Sequence, residues 1–162
     1  MCGDSGVGKS ALMIRYTENE FDRFHIVSIA VEYGSKVLKN KGKIFKLNFF
    51  VAPGDPAYTQ DITSLYNQAD CILFVFDFTN KLSFTSVINS RERLLRNEKK
   101  ESRHYVVGNK CESKSKDYFS LDCKNYCENS KIQYFEISAK NNINIDKMFL
   151  KICENFSKEM ES

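Results

Sequence analysis

The sequence predicts an α/β domain built in three layers, a mostly parallel β-sheet with helices on both faces. Two observations carry that expectation. Short apolar runs alternate from end to end with stretches in which apolar residues recur at helical spacing. The length, 162 residues, suits one domain with a sizeable core and is too short for two ordinary ones. A single domain over residues 1–162 is therefore expected.

In chain order, a helix is expected over Lys9 to Tyr16, then strands over Ile29 to Leu38 and Ile44 to Val51. A helix over Tyr58 to Gln68 leads to a strand over Cys71 to Asp77, and a helix over Ser83 to Asn97 to a strand over His104 to Asn109. A helix over Ser120 to Asn129, a strand over Ile132 to Ile137 and a helix over Asn144 to Ser157 complete the chain. Asn40-Lys41-Gly42-Lys43 reads as a hairpin turn, which makes the first two strands antiparallel. No internal repeat and no linker is visible.

Composition excludes several classes. Hydrophobic residues make up 42% and charged residues 28%, an ordinary globular balance without disordered bias. The net charge is +3, and the densest basic run, Arg91 to Arg103, is broken by Glu92, Glu98 and Glu101, which reads as a solvated helix face and not a nucleic-acid surface. Six cysteines lack CxxC spacing; Cys71, Cys123, Cys127 and Cys153 read as small buried residues in a reducing, cytoplasmic setting. No signal segment opens the chain, and no apolar run approaches the roughly 20 residues of a membrane span. The chain also shows no prenylated cysteine at its end, so peripheral attachment to endomembranes would need a lipidated tail outside it.

The strongest motif is Gly3-Asp4-Ser5-Gly6-Val7-Gly8-Lys9-Ser10, a P-loop pattern. Glycines let backbone N–H groups of residues Asp4 to Ser10 curl around phosphates, lysine reaches the β and γ phosphates, and serine suits magnesium. Such a loop should follow a buried strand, yet only Met1 and Cys2 precede Gly3. The first strand is expected to be missing or truncated, leaving a gap in the sheet or exposed flanking edges. A truncated or mis-started chain accounts for this more readily than a design without the strand.

Beyond the phosphate loop, Gly108-Asn109-Lys110-Cys111-Glu112 and Glu136-Ile137-Ser138-Ala139-Lys140 each follow an apolar strand and together resemble the guanine-reading motifs of Ras-like small GTPases. The likeness covers nearly the whole chain. Phe21 to Tyr33 resembles switch I, Lys46 to Tyr58 resembles switch II, and Leu73 to Thr79 resembles the Rab strand LVYDVT. Within the superfamily the resemblance is to Rab: Ser28-Ile29-Ala30-Val31-Glu32-Tyr33 is similar to TIGVDF, and Leu65-Tyr66-Asn67-Gln68-Ala69 to YYRGA.

The resemblance implies GTP and GDP as ligands, magnesium as cofactor, and regulators and effectors as partners at the switch regions. It gives Asn109 a bond to the base edge, Lys110 a stem along the ring, the Ala139 N–H the guanine carbonyl, Ser138 and Lys140 support of that loop, and Phe21 an edge contact with the base. Glu112 departs from the family's aspartate, one methylene too long for the two donors that distinguish guanine. Charge-assisted bonds are worth about 1.5–3 kcal/mol, so the expected cost is affinity and not base preference.

Ser10 and Ser28 are the expected magnesium ligands. Where the family reads DTAGQ in switch II, this chain has Val51-Ala52-Pro53-Gly54-Asp55. Val51 offers no acceptor, which weakens the magnesium site. Asp55, at the catalytic position, is acceptor-only and negative, and cannot orient water beside a γ phosphate; Pro53 and Gly54 give it no reach towards the metal. Gly54 retains an N–H for the γ phosphate. Pro53 and Pro56 stiffen the segment.

The resulting expectation is a Rab-like guanine-nucleotide binder in vesicle trafficking or signalling with slow or lost hydrolysis. The alternatives are a nucleotide-free pseudo-GTPase scaffold and an ordinary hydrolysing GTPase. Cys123 and Cys127 lack further zinc ligands, His25 falls in the switch I loop, His104 starts a strand, and Asp70 and Asp77 read as structural.

Overall fold

A computed structural model describes residues 1–22, 28–55, 62–96 and 102–159, of which 62, 63, 117 and 159 are described for the backbone alone. The elements run α1 (Lys9–Glu18), β1 (Glu32–Asn40), β2 (Lys43–Val51), α2 (Ile62–Gln68), β3 (Cys71–Asp77), α3 (Lys81–Leu95), β4 (Arg103–Asn109), α4 (Lys116–Asn129), β5 (Gln133–Glu136) and α5 (Ile145–Glu159). All ten expected elements are present, in the expected order.

The strands form two sheets. β3, β4 and β5 are parallel in that order, and β1 pairs antiparallel with β2 from Glu32↔Val51 to Asn40↔Lys43. Lys41 and Gly42 both take positive φ, 48° and 79°, the two-residue turn whose twist matches a hairpin. The expected gap is bridged by two residues. Cys2 N–H donates to Leu73 O at 2.9 Å and Cys2 O accepts from Val75 N at 2.8 Å, while Met1 O accepts from Ala52 N at 3.0 Å and its nitrogen donates to Phe50 O at 2.6 Å. Met1 and Cys2 thus stand between β2 and β3 and deliver Gly3 to the end of the sheet.

Two apolar clusters cover the faces. On one side Leu12 and Tyr16 of α1 meet Val75, Val107 and the inward stripe Ile145, Met148, Phe149 and Ile152 of α5, spaced as a helix requires. Tyr16 stacks on Phe149 at 4.0 Å between ring centroids. On the other, Phe74, Phe76 and Phe78 meet Val87 of α3 and Phe119, Cys123 and Cys127 of α4. Burial raises the thiols, Cys71 and Cys123 to about 12 and Cys127 to about 11. Cys123, Cys127 and Cys153 are buried as expected, whereas Cys71 is half-buried.

Several boundaries move for local reasons. β1 starts at Glu32 and not Ile29, because β2 ends at Val51, leaving residues 29–31 without a partner strand. α3 starts at Lys81, since the Asn80 side chain accepts from Leu82 N at 3.1 Å. α4 starts at Lys116, four residues early, which extends the Phe119, Cys123, Cys127 stripe through a full first turn. The expected residues His25, Tyr58 and Pro56, and Asn97 at the end of the third helix, lie outside the described residues. Among the described residues no helix is long and apolar enough to cross a membrane.

The phosphate-loop glycines yield a contrast testable by thermal unfolding. A Cβ on Gly3 would lie 2.0 Å from Val75 O, whereas one on Gly6, φ 78°, would meet nothing within 4 Å. Gly6→Ala carries only the left-handed backbone cost of about 1–2 kcal/mol, so the melting temperature should fall by about 2–8 °C. Gly3→Ala must also displace β3 and should fall further or fail to fold; equal losses would show that Val75 O does not confine this glycine.

Candidate nucleotide site

The phosphate loop closes onto the start of α1. Gly8 precedes the helix at φ 94° with no side-chain cap, so the first-turn N–H groups of α1 point outward into the loop. Gly8 has no room for a side chain, since a Cβ would sit 2.3 Å from Asn109 Nδ2. Inside the loop, the Lys9 ammonium donates to Gly3 O at 2.8 Å and Asp4 O at 2.9 Å. Lys9 is only 6% exposed. Desolvation is the main cause that lowers its pKa. A buried cation with two neutral acceptors is left short of negative charge, which a phosphate would supply.

Gly54 packs against the other side of the loop, where a Cβ would lie 2.3 Å from Ser5 N. A small cavity of about 40 Å³ lies between Ser5, Gly6, Lys9, Ser10, Ser28 and Gly54. It adjoins a larger one of about 680 Å³, which Phe21, Ser28, Asn109, Lys110, Glu112, Ala139 and Lys140 help to line. One continuous recess therefore collects the phosphate-loop and base-motif residues named from sequence, except Asp4 and Val7, which line neither part, and Ser138, which is buried behind it and accepts from Asn141 N at 2.9 Å. Val7 is also buried, and takes part through its backbone.

The base motifs are interlocked in a way the sequence does not reveal. Asn109 Nδ2 donates to Val7 O at 2.9 Å, and its Oδ1 accepts the Ala139 N–H at 3.1 Å. Asn109 and the Ala139 N–H, both expected at the base, bond each other here, as buried polar groups must find partners. Lys110, at φ 62°, sends its ammonium to Gly6 O at 3.0 Å and to Asp77 Oδ2 at 2.5 Å. Its stem is thereby drawn along the recess. Asp77, read as structural, is the carboxylate that fixes it; Oδ1 is held by the Thr79 N–H at 2.7 Å and hydroxyl at 2.8 Å. Its place at the end of β3, level with Asn109 on β4, is the signal that could have found it.

Arg15 of α1 was also missed. Its Nε donates to Ala139 O at 2.9 Å and one terminal nitrogen to Lys140 O at 3.2 Å, and its guanidinium lies 5.6 Å from the Phe21 ring centroid. It clamps the 139–140 loop and braces the aromatic. Glu112 is exposed at the rim.

The two switch II departures separate in space. Val51 is wholly buried in the same apolar cluster as Val7 and Val75. Asp55 is half-buried and lines neither part of the recess. Ser10 and Ser28, the expected metal ligands, do converge, their hydroxyl oxygens 3.3 Å apart. Both are hard oxygen donors beside the phosphate loop, a donor set that fits magnesium.

The Cys2 bridge to β3, an uncapped glycine-rich turn and a helix that opens on a buried lysine together follow the pattern of a P-loop. A model of the Ras family matches residues 1–158, and the chain belongs to that family. The Ras-related protein SEC4 of Candida albicans is 31% identical over 112 residues, 69% of this chain and 53% of its own length. Rab-8B of Dictyostelium discoideum is 29% identical over 161 residues, 99% of this chain and 79% of its own, and Rab-13 of Rattus norvegicus 30% over 116 residues, 72% and 57%. The match thus spans about half the length of SEC4. The likeness within the family is to Rab proteins.

Arg15→Ala removes two bonds to the 139–140 loop, each worth about 1 kcal/mol, besides the one to Asn19 O. Amide hydrogen exchange at residues 139–142 should accelerate at least tenfold relative to β4. Unchanged protection there would show that the clamp does not hold the loop.

Proposed function

We propose that this chain binds GDP and GTP as a Rab-like module in vesicle trafficking or signalling, and hydrolyses GTP slowly or not at all. The observation that carries the reading is Lys9, a cation buried beside the uncapped start of α1 whose ammonium donates to two backbone carbonyls, Gly3 O and Asp4 O. The first-turn N–H groups and the Lys9 ammonium would hold the phosphates, with the Gly54 N–H available at the γ position. Phe21, the Lys110 stem, Glu112 and the 138–140 loop would hold the base. Magnesium, bound through Ser10 and Ser28, would neutralise phosphate charge.

Slow hydrolysis is supported by position as well as chemistry. Asp55 carries no donor that could orient water and lines neither part of the recess. Regulators and effectors would meet the outer face of the β1–β2 hairpin, where Tyr33 and Phe50 are exposed and their ring centroids lie 5.4 Å apart. The setting would be cytoplasmic, with membrane attachment only through a lipidated tail. A single G domain over residues 1–162 fits the apolar cluster that joins both sheets to α1 and α5, and the one recess at their end.

A second reading, the nucleotide-free scaffold, is favoured by one observation: Asn109 and the Ala139 N–H satisfy each other. Titration calorimetry decides between them. Binding of GDP and GTP at least about tenfold tighter than ATP is expected; equal GTP and ATP affinities would defeat guanine recognition, and no heat with any nucleotide would establish the scaffold. Single-turnover hydrolysis should fall below the intrinsic rate of about 3–5 × 10⁻⁴ s⁻¹ of Ras. A rate at or above that value would refute the reading of Asp55.

A further inference from the structure

The loss at Val51 leaves the magnesium site short of one anionic acceptor, and the structure brings a carboxylate there from elsewhere. Glu32 is the first residue of β1 and lines the recess together with Ser10 and Ser28. Its Oε1 accepts the Ser10 hydroxyl at 3.0 Å and the Ser28 hydroxyl in a still shorter contact. The three oxygens come from the first turn of α1, the loop before β1 and β1 itself. All three are hard oxygen donors, the kind magnesium takes, and they meet at one corner of the recess beside the phosphate loop.

Charge points the same way. A carboxylate facing bound phosphates with nothing between them repels at about 4 kcal/mol for unit charges 4 Å apart at an effective dielectric constant of 20. A divalent cation between them turns that repulsion into attraction. Asp55, the acidic residue of the switch II motif, does not line this recess.

We propose that Glu32 is the carboxylate of the magnesium site, replacing from β1 the acceptor that Val51 cannot supply at the end of β2. The proposal rests on the nucleotide-binding reading above. Glutamine at this position keeps an oxygen that accepts the two serine hydroxyls and removes only the charge, so it separates a metal role from a hydrogen-bonding one. Aspartate keeps the charge and shortens the reach.

The test measures release of a fluorescent GDP analogue from the full chain against free magnesium, and manganese binding to the GDP complex by electron paramagnetic resonance. Thermal melts confirm that wild type, Glu32→Gln and Glu32→Asp are folded. For Glu32→Gln the magnesium concentration that half-protects GDP from release should rise at least tenfold and manganese affinity fall in step, while release in chelator is no faster than wild type. Glu32→Asp should lie between the two. Magnesium and manganese dependence within twofold of wild type for Glu32→Gln would overturn the proposal alone. Failure of the wild type to retain GDP at any magnesium concentration would overturn the nucleotide reading and this proposal with it.

Discussion

The recess depends on one buried amide. Asn109, 2% exposed at the end of β4, reaches the phosphate loop through Val7 O and the 138–140 loop through the Ala139 N–H, while its own carbonyl accepts from Phe78 N at 3.1 Å. Two segments far apart in sequence are thus registered to β4 by a single side chain. Removing it would leave Val7 O and Ala139 N buried without partners, which costs more than the bonds themselves contribute. Gly8 is the sequence's accommodation to it, since any side chain there would strike the amide. The Lys110 link to Gly6 O and Asp77 repeats the arrangement one residue later.

The fold was largely legible because its signals are local. Apolar runs of strand length, the helical stripe of α5 and the Lys41-Gly42 turn each report on their own segment, and every expected element exists. The errors came where a distant partner decides. Residues 29–31 have strand-like composition, but β2 ends opposite Glu32, so pairing stops there. The early start of α4 rests on Phe119 reaching a core built by β3. The truncated first strand does leave the sheet in two parts, and what the sequence could not show is that Met1 and Cys2 hydrogen-bond to both flanks of the break.

The site divided along the same line. Motif spacing located the phosphate loop, the base motifs and the two serines, because each is a contiguous run. It could not locate Asp77, Arg15 or Glu32, whose importance arises from what they face across the fold. It also could not foresee that Asn109 and Ala139 would bond one another. Val51 and Asp55, at the two ends of one five-residue motif, proved to sit in different surroundings, one in the core and the other half-buried and lining neither part of the recess. With Glu32 carrying the lost charge, the loop before β1 would be coupled to the metal at two points and not one, so the segment before the hairpin, more than switch II, would register the bound ion.

Nucleotide binding itself is tested most directly by extraction. The protein is purified without added nucleotide, denatured, and the supernatant resolved by ion-pair chromatography with mass detection. GDP or GTP in stoichiometric amount with the chain is the expected result. A chain that releases no nucleotide, and remains empty after incubation with micromolar GTP and magnesium, would contradict it.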